Sequence, residues 1–129
     1  MTEKLTRILY VEDEPDIQMV ARLALETLGG FTLEICSSGK EALEKIGAFQ
    51  PQLMLLDVMM PGMDGPTTLG ELRKLASFTS TPAIFMTAKV QPSEVAGYKA
   101  IGAVDVIPKP FDPMTLSTQV QAIWERCHG

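Results

Sequence analysis

The sequence has no uninterrupted apolar stretch approaching the roughly 20 residues a helix needs to cross a bilayer. Its first residues, MTEKLTRILYVEDE, place acidic side chains on both sides of an apolar run too short for a secretory signal. Neither membrane insertion nor export is expected, and the predicted location is cytoplasmic. Histidine and cysteine are scarce as well. Cys36 and Cys127 lie far apart and, with His128 the only histidine, make no metal-binding set, so they read as two reduced thiols. His128 lies next to the chain end and reads as a solvated side chain. Basic charge is also in deficit: 11 Lys and Arg face 16 Asp and Glu, for a formal net charge of -5. The basic residues are scattered, so no stripe for nucleic acid or an anionic membrane exists and direct nucleic-acid binding is not expected. There is no repeat, low-complexity tract or linker, and residues 1–129 read as a single domain with no attached effector domain.

What is present is enough for a core. A chain of 129 residues, 46% hydrophobic, can bury one without disulfides or structural metals. Five short apolar runs stand out: Ile8 to Val11, Phe31 to Ile35, Leu53 to Leu56, Ala83 to Met86 and Val104 to Ile107. The first, third and fourth show no polar alternation, which is how strands of a parallel sheet covered on both faces read. Segments with helical spacing lie between them, over 15–28, 38–48, 66–77, 93–100 and 113–127. Ser38 and Glu41 have the spacing of a capping box, and Asp112-Pro113 reads as an N-cap followed by proline at the first helical position. Leu116, Val120, Ile123 and Cys127 fall on one face of the last helix, with Trp124 beside them, while Met19, Met54 and Met86 read as core filling. Thr67 and Thr68 read as helix-surface residues. The alternation predicts an α/β fold, an open doubly wound parallel sheet with helices on both faces.

Ligands of such sheets bind at the carboxyl ends of the strands. The first run ends in Glu12-Asp13-Glu14, the third in Asp57, the fourth in Thr87, and the fifth leads to Lys109. Carboxylates that converge repel one another and need protons or a cation. Asp13 and Asp57, with Glu12 behind them, form a hard oxygen set suited to Mg²⁺, with Mn²⁺ as the alternative. Thr87 offers a hydroxyl and Lys109 a mobile point charge, both able to hold phosphoryl oxygens. A carboxylate is itself a nucleophile toward phosphorus, which points to Asp57. No glycine- or hydroxyl-rich loop follows the first strand, so a flavin or other bare phosphate ligand is disfavoured. A phosphatase with an aspartyl nucleophile would want a second carboxylate two residues later, where Met59 stands.

The strings ILYVEDEP, LMLLDVMMPGMDG, PAIFMTA and IPKPF, in this order and spacing, resemble the response-regulator receiver domains of two-component signalling over essentially the whole chain. The resemblance implies a five-stranded sheet of flavodoxin-like order 2-1-3-4-5. It implies Asp57 as phosphoacceptor, Asp13 as a metal ligand, Glu12 as an acid reaching the metal through water, and Met59 contributing its backbone carbonyl. Thr87 and Lys109 would contact the phosphoryl oxygens, with a cis peptide between Lys109 and Pro110. The donor would be a sensor histidine kinase, a histidine phosphotransfer protein or a small acyl phosphate, and the output a changed protein-binding surface for a downstream partner.

One departure from the family is Val106, where Tyr or Phe is usual. A short β-branched side chain cannot swing a ring between exposed and buried positions, so output is expected to run through the loop after Thr87 and the 93–100 helix. Met59, two residues after Asp57, is expected to obstruct water and prolong the phosphorylated state. Lys89 holds the matching place after Thr87. The rival reading is a constitutive interaction module of the same fold that is never phosphorylated, which Val106 favours and the intact acidic cluster opposes.

Overall fold

Residues in the unalternating runs must bury both faces of the strands they form, and the computed structural model, which describes residues 3–128, shows how. Strands β1 (Arg7–Val11), β2 (Thr32–Cys36), β3 (Leu53–Asp57), β4 (Ala83–Thr87) and β5 (Asp105–Pro108) pair in parallel in the order β2-β1-β3-β4-β5. Every residue of β3 and β4 is buried. The two-residue period sorts their side chains. Ile8, Tyr10, Leu55, Ile84 and Met86 enter one core layer, whereas Leu9, Val11, Met54, Leu56 and Phe85 enter the other.

The helices are α1 (Pro15–Arg22), which continues as a π-helix over Leu23–Leu28, α2 (Gly39–Phe49), α3 (Gly65–Arg73), α4 (Pro92–Ala100) and α5 (Leu116–His128), with a 3₁₀ turn at Ala76–Phe78. Ala21, Ala24 and Leu25 join Leu116, Val120, Ile123 and Trp124 over the first layer, so α1, its π-helical extension and α5 cover one face. Ala42, Ile46, Leu69 and Leu72 place α2 and α3 over the other. No residue of α4 is fully buried. Its main anchor is Tyr98, whose ring meets Phe85 edge to face at a centroid distance of 5.3 Å.

The caps follow local chemistry. Ser38 Oγ accepts from the Glu41 N–H at 3.1 Å, an interaction typically worth about 1 kcal/mol. The Glu41 carboxylate accepts from the N–H of Ser37 rather than of Ser38. Asp64 Oδ1 accepts from the Thr67 N–H at 2.8 Å and starts α3. Asp112 organises a turn first: its Oδ1 accepts from Met114 N–H at 2.9 Å, and its carbonyl accepts from Leu116 N–H at 3.0 Å. These bonds cap a first turn over 113–115, and regular helix runs from Leu116.

Three expectations need correction. Met19 is 73% exposed, because the buried side of α1 is set by Ala21 and the residues that follow it. Thr68 is fully buried, because a helix that starts at Gly65 turns residues 65, 68, 69 and 72 toward the core. Cys127 is exposed. The apolar face of α5 is completed by Trp124, whose indole N–H donates to the Glu3 carbonyl at 2.8 Å, and the turn beyond has no layer to enter. The helix expected over 66–77 is also divided. It ends at Arg73, whose guanidinium donates to the Phe78 carbonyl at 3.0 Å and braces the turn that buries Phe78. The side chain of His128 lies outside the described residues.

Gly65 marks where α3 comes closest to the sheet. A Cβ there would lie 2.5 Å from the Asp57 carbonyl oxygen and 2.9 Å from Val58 Cα, both backbone atoms that cannot step aside. At Gly70, in the same helix, a Cβ meets nothing within 4 Å. Gly65→Ala is expected to destabilise the fold by about 1–3 kcal/mol. Gly70→Ala is expected to stabilise it by about 0.5–1 kcal/mol. Urea unfolding of both variants checks the opposite signs.

Candidate functional site

The parallel sheet ends all its strands on one edge, and the polar residues that close the apolar runs meet there. Glu12 follows β1 and is completely buried, its N–H held by the Cys36 carbonyl at 2.9 Å. Asp57 ends β3 and Thr87 ends β4, each only 2% exposed. Lys109 follows β5, its backbone N–H donating to the Thr87 carbonyl at 2.9 Å, and its peptide bond to Pro110 is cis. The structure brings Glu12, Asp13, Asp57, Thr87 and Lys109 to one place. Met59 joins them at the mouth and is 69% exposed.

Lys109 Nζ bridges two carboxylates, Glu12 Oε1 at 3.0 Å and Asp57 Oδ1 at 3.2 Å. Glu12 Oε2 accepts from the Glu14 N–H at 3.2 Å. Glu12, Asp13 and Asp57 each present a carboxylate oxygen, all within 4.8 Å of one another. Burial pushes the Glu12 carboxyl up to about 7; Lys109 opposes this, and the Asp57 charge adds to it. Burial works against the Lys109 ammonium, but Glu12 and Asp57 more than offset that and hold its pKa above the ordinary lysine value. Three carboxylates thus face one ammonium.

Asp13 Oδ1 is buried and has no hydrogen-bond partner among the described residues. An orphaned carboxylate oxygen beside two further carboxylates is the donor set of a hard divalent cation, which takes oxygen ligands and relieves their repulsion. The residues present therefore fit such an ion.

Thr87 Oγ1 accepts from the Lys89 N–H at 3.0 Å, which ties the hydroxyl to the loop leading into α4. A cavity of about 150 Å³ lies over these groups, lined by Glu14, Asp57, Met59, Thr87, Ala88 and Lys109. A larger groove of about 350 Å³, beside Gly29 and α5, is lined by residues such as Leu28, Phe31, Ser117 and Gln121 and collects no comparable group of charges. Chemistry, and not size, marks the site.

Two neighbours were not singled out from the sequence. Glu14 lines the cavity at the start of α1, and the string Glu12-Asp13-Glu14 was its only signal. Tyr10 lies beneath Glu12 and Asp57, which both act on its phenol. Its signal was the two-residue strand spacing to Glu12.

The response regulator receiver domain family matches residues 8–121. The transcriptional regulatory protein CseB of Streptomyces coelicolor is 34% identical over 121 residues, covering 94% of this chain and 50% of that protein. The transcriptional activator protein IrlR of Burkholderia pseudomallei is 38% identical over 120 residues, covering 93% of this chain and 51% of its own length. The chain thus spans about half the length of these curated relatives. The chemotaxis protein CheY4 of Vibrio cholerae superposes with a TM-score of 0.85 at 28% identity, covering 93% of this chain and 99% of that one. The receiver domain of a signal transduction histidine kinase from Syntrophus aciditrophicus gives 0.79 at 30% identity, with 94% and 91% covered. A strand order shared with these solved structures, a family match from β1 into α5, and relatives of this identity together make the chain a member of the response regulator receiver domain family.

Proposed function

We propose that this chain is a phosphoryl-accepting switch in which Asp57 is the phosphoacceptor. The observation that carries the reading is the setting of Asp57: buried at the end of β3, 3.2 Å from the Lys109 ammonium and grouped with Glu12 and Asp13. A carboxylate oxygen of Asp57 attacks phosphorus, the bond from phosphorus to the donor's imidazole nitrogen breaks, and the imidazole leaves with the electron pair and takes up a proton. The donor is a phosphohistidine of a sensor kinase or histidine phosphotransfer protein, or else a small acyl phosphate.

Glu12, Asp13, Asp57 and the Met59 carbonyl would hold Mg²⁺, or Mn²⁺ in its place. The ion supplies positive charge that offsets the developing negative charge on phosphoryl oxygens. Lys109 exchanges its contacts with Asp57 and Glu12 for a phosphoryl oxygen, and the Thr87 hydroxyl donates to another. Positioning and charge compensation are the main contributions in this chemistry.

The output is a changed protein-binding surface. Val106 is only partly buried against the second core layer, and no aromatic ring stands there to rotate. The Thr87 hydroxyl instead holds the Lys89 N–H, and α4 beyond it buries no residue fully. A pull on Thr87 is therefore transmitted to the loop over 88–91 and to α4. A net charge of -5 supports a protein partner rather than nucleic acid, and a cytoplasmic setting suits this role. No helix among the described residues is long and apolar enough to cross a membrane.

Incubation with acetyl phosphate and Mg²⁺ is expected to add one phosphoryl group by intact mass, with no addition to Asp57→Asn or without the metal. Absence of addition from both acetyl phosphate and a kinase donor would favour the constitutive interaction module. Met59 stands at the cavity mouth, so Met59→Asn is expected to lose the phosphoryl group faster than the parent; equal lifetimes would remove Met59 as the barrier to water. Hydrogen exchange over 88–100 is expected to change on phosphorylation, and an unchanged pattern would rule out output through α4.

A further inference from the structure

Tyr10 stands two residues before Glu12, and in a strand that spacing puts both side chains on one face. Its register partner in β3 is Leu55, itself two residues before Asp57. The phenol therefore lies one layer beneath the two carboxylates that share Lys109. It is completely buried, and its Oη makes no hydrogen bond of normal geometry among the described residues. Buried tyrosine hydroxyls usually have a partner, so the exception asks for a reason. The Glu12 carboxylate is a nearby acceptor for it. Tyr10 is thus a neutral donor stationed under an acidic pair.

Glu12 explains what such a donor is for. In the resting protein its Oε1 accepts from Lys109 and its Oε2 from the Glu14 N–H. In the phosphoryl-accepting reading, on which this inference rests, Lys109 turns toward a phosphoryl oxygen. Glu12 is 0% exposed, so solvent cannot replace the ammonium it loses. The Glu14 N–H stays on Oε2 and a bound ion would stand nearby, but Oε1 is left as a buried acceptor without a donor, which is costly.

We propose that Tyr10 is a positioning residue for Glu12: its hydroxyl lies near Glu12 without a well-formed hydrogen bond in the resting protein and donates fully to the Glu12 carboxylate when Lys109 moves to the phosphoryl group. Tyr10 never touches the phosphoryl group. It stabilises the loaded state more than the resting one, which is the condition for an interaction to shift the balance between two states. The hydroxyl also keeps Glu12 oriented toward the ion site while its lysine partner is elsewhere.

The test uses Tyr10→Phe, which removes the hydroxyl and keeps the ring, with beryllofluoride plus Mg²⁺ as the phosphoryl probe. The free variant is expected to unfold at the same temperature as the parent or higher, since no resting hydrogen bond is lost. By titration calorimetry it is expected to bind beryllofluoride about ten- to a hundredfold more weakly, the effect of one hydrogen bond to a charged group. In a Glu12→Gln background the same substitution is expected to change affinity much less, because the charged acceptor is gone. Equal affinity of parent and Tyr10→Phe would overturn the proposal. So would a clear loss of stability in the free variant, which would give the hydroxyl a structural partner already. A parent that takes up no beryllofluoride overturns the phosphoryl-accepting reading and this proposal with it.

Discussion

Lys109 holds two acidic side chains that would otherwise repel each other out of the core. One ammonium, 3.0 Å from Glu12 and 3.2 Å from Asp57, is what lets a parallel sheet close over carboxylates that are almost wholly buried. The arrangement is asymmetric. Removing a partner from a buried ion pair leaves an uncompensated charge, a loss of typically about 3–5 kcal/mol, whereas an apolar replacement of the whole group is often neutral. Such a cluster is therefore a poor means of stabilising a fold and a good means of storing reactivity. The remaining architecture serves it: β1 and β3 deliver the acids, β4 the hydroxyl, and the backbone bond from Lys109 to the Thr87 carbonyl fixes where the lysine starts.

The parallel sheet was legible in the sequence because burial on both faces leaves a plain mark, whereas its strand order followed from the resemblance to the receiver family. Runs such as LMLL and AIFM contain no polar residue, and strands so buried need helices on either side. The acidic site was legible for a related reason. Polar residues that end apolar runs have to lie at the strand termini, and in a parallel sheet those termini share one edge. Glu12, Asp57, Thr87 and Lys109 are therefore neighbours despite their distance along the chain.

Helix faces were harder to read, since a periodic stripe does not say how far its partner layer extends. Cys127 continues the stripe of α5 but lies past Trp124, where the packed surface stops. Met19 is apolar yet points away from the side chosen by Ala21, Ala24 and Leu25. Thr68 is polar yet lies inward, because α3 starts at Gly65 and not later. Tyr10 was hidden for a different reason: in an apolar strand it reads as one more core side chain, and only the position of Glu12 above it gives its hydroxyl meaning.

The ion pair between Lys109 and Glu12 spans 97 positions of the chain. No local segment can form it, and it exists only once the first strand and the turn after the last have both docked. Contacts of such range form late and slowly, because the intervening chain must be ordered before they repay its entropy. A nascent or partly unfolded chain thus has Asp57 in water, without its lysine and without the neighbouring acids. The site doubles as an internal proofreader of folding: competence to receive a signal arrives with the final strand, and a chain that has lost its native topology falls silent instead of reporting falsely.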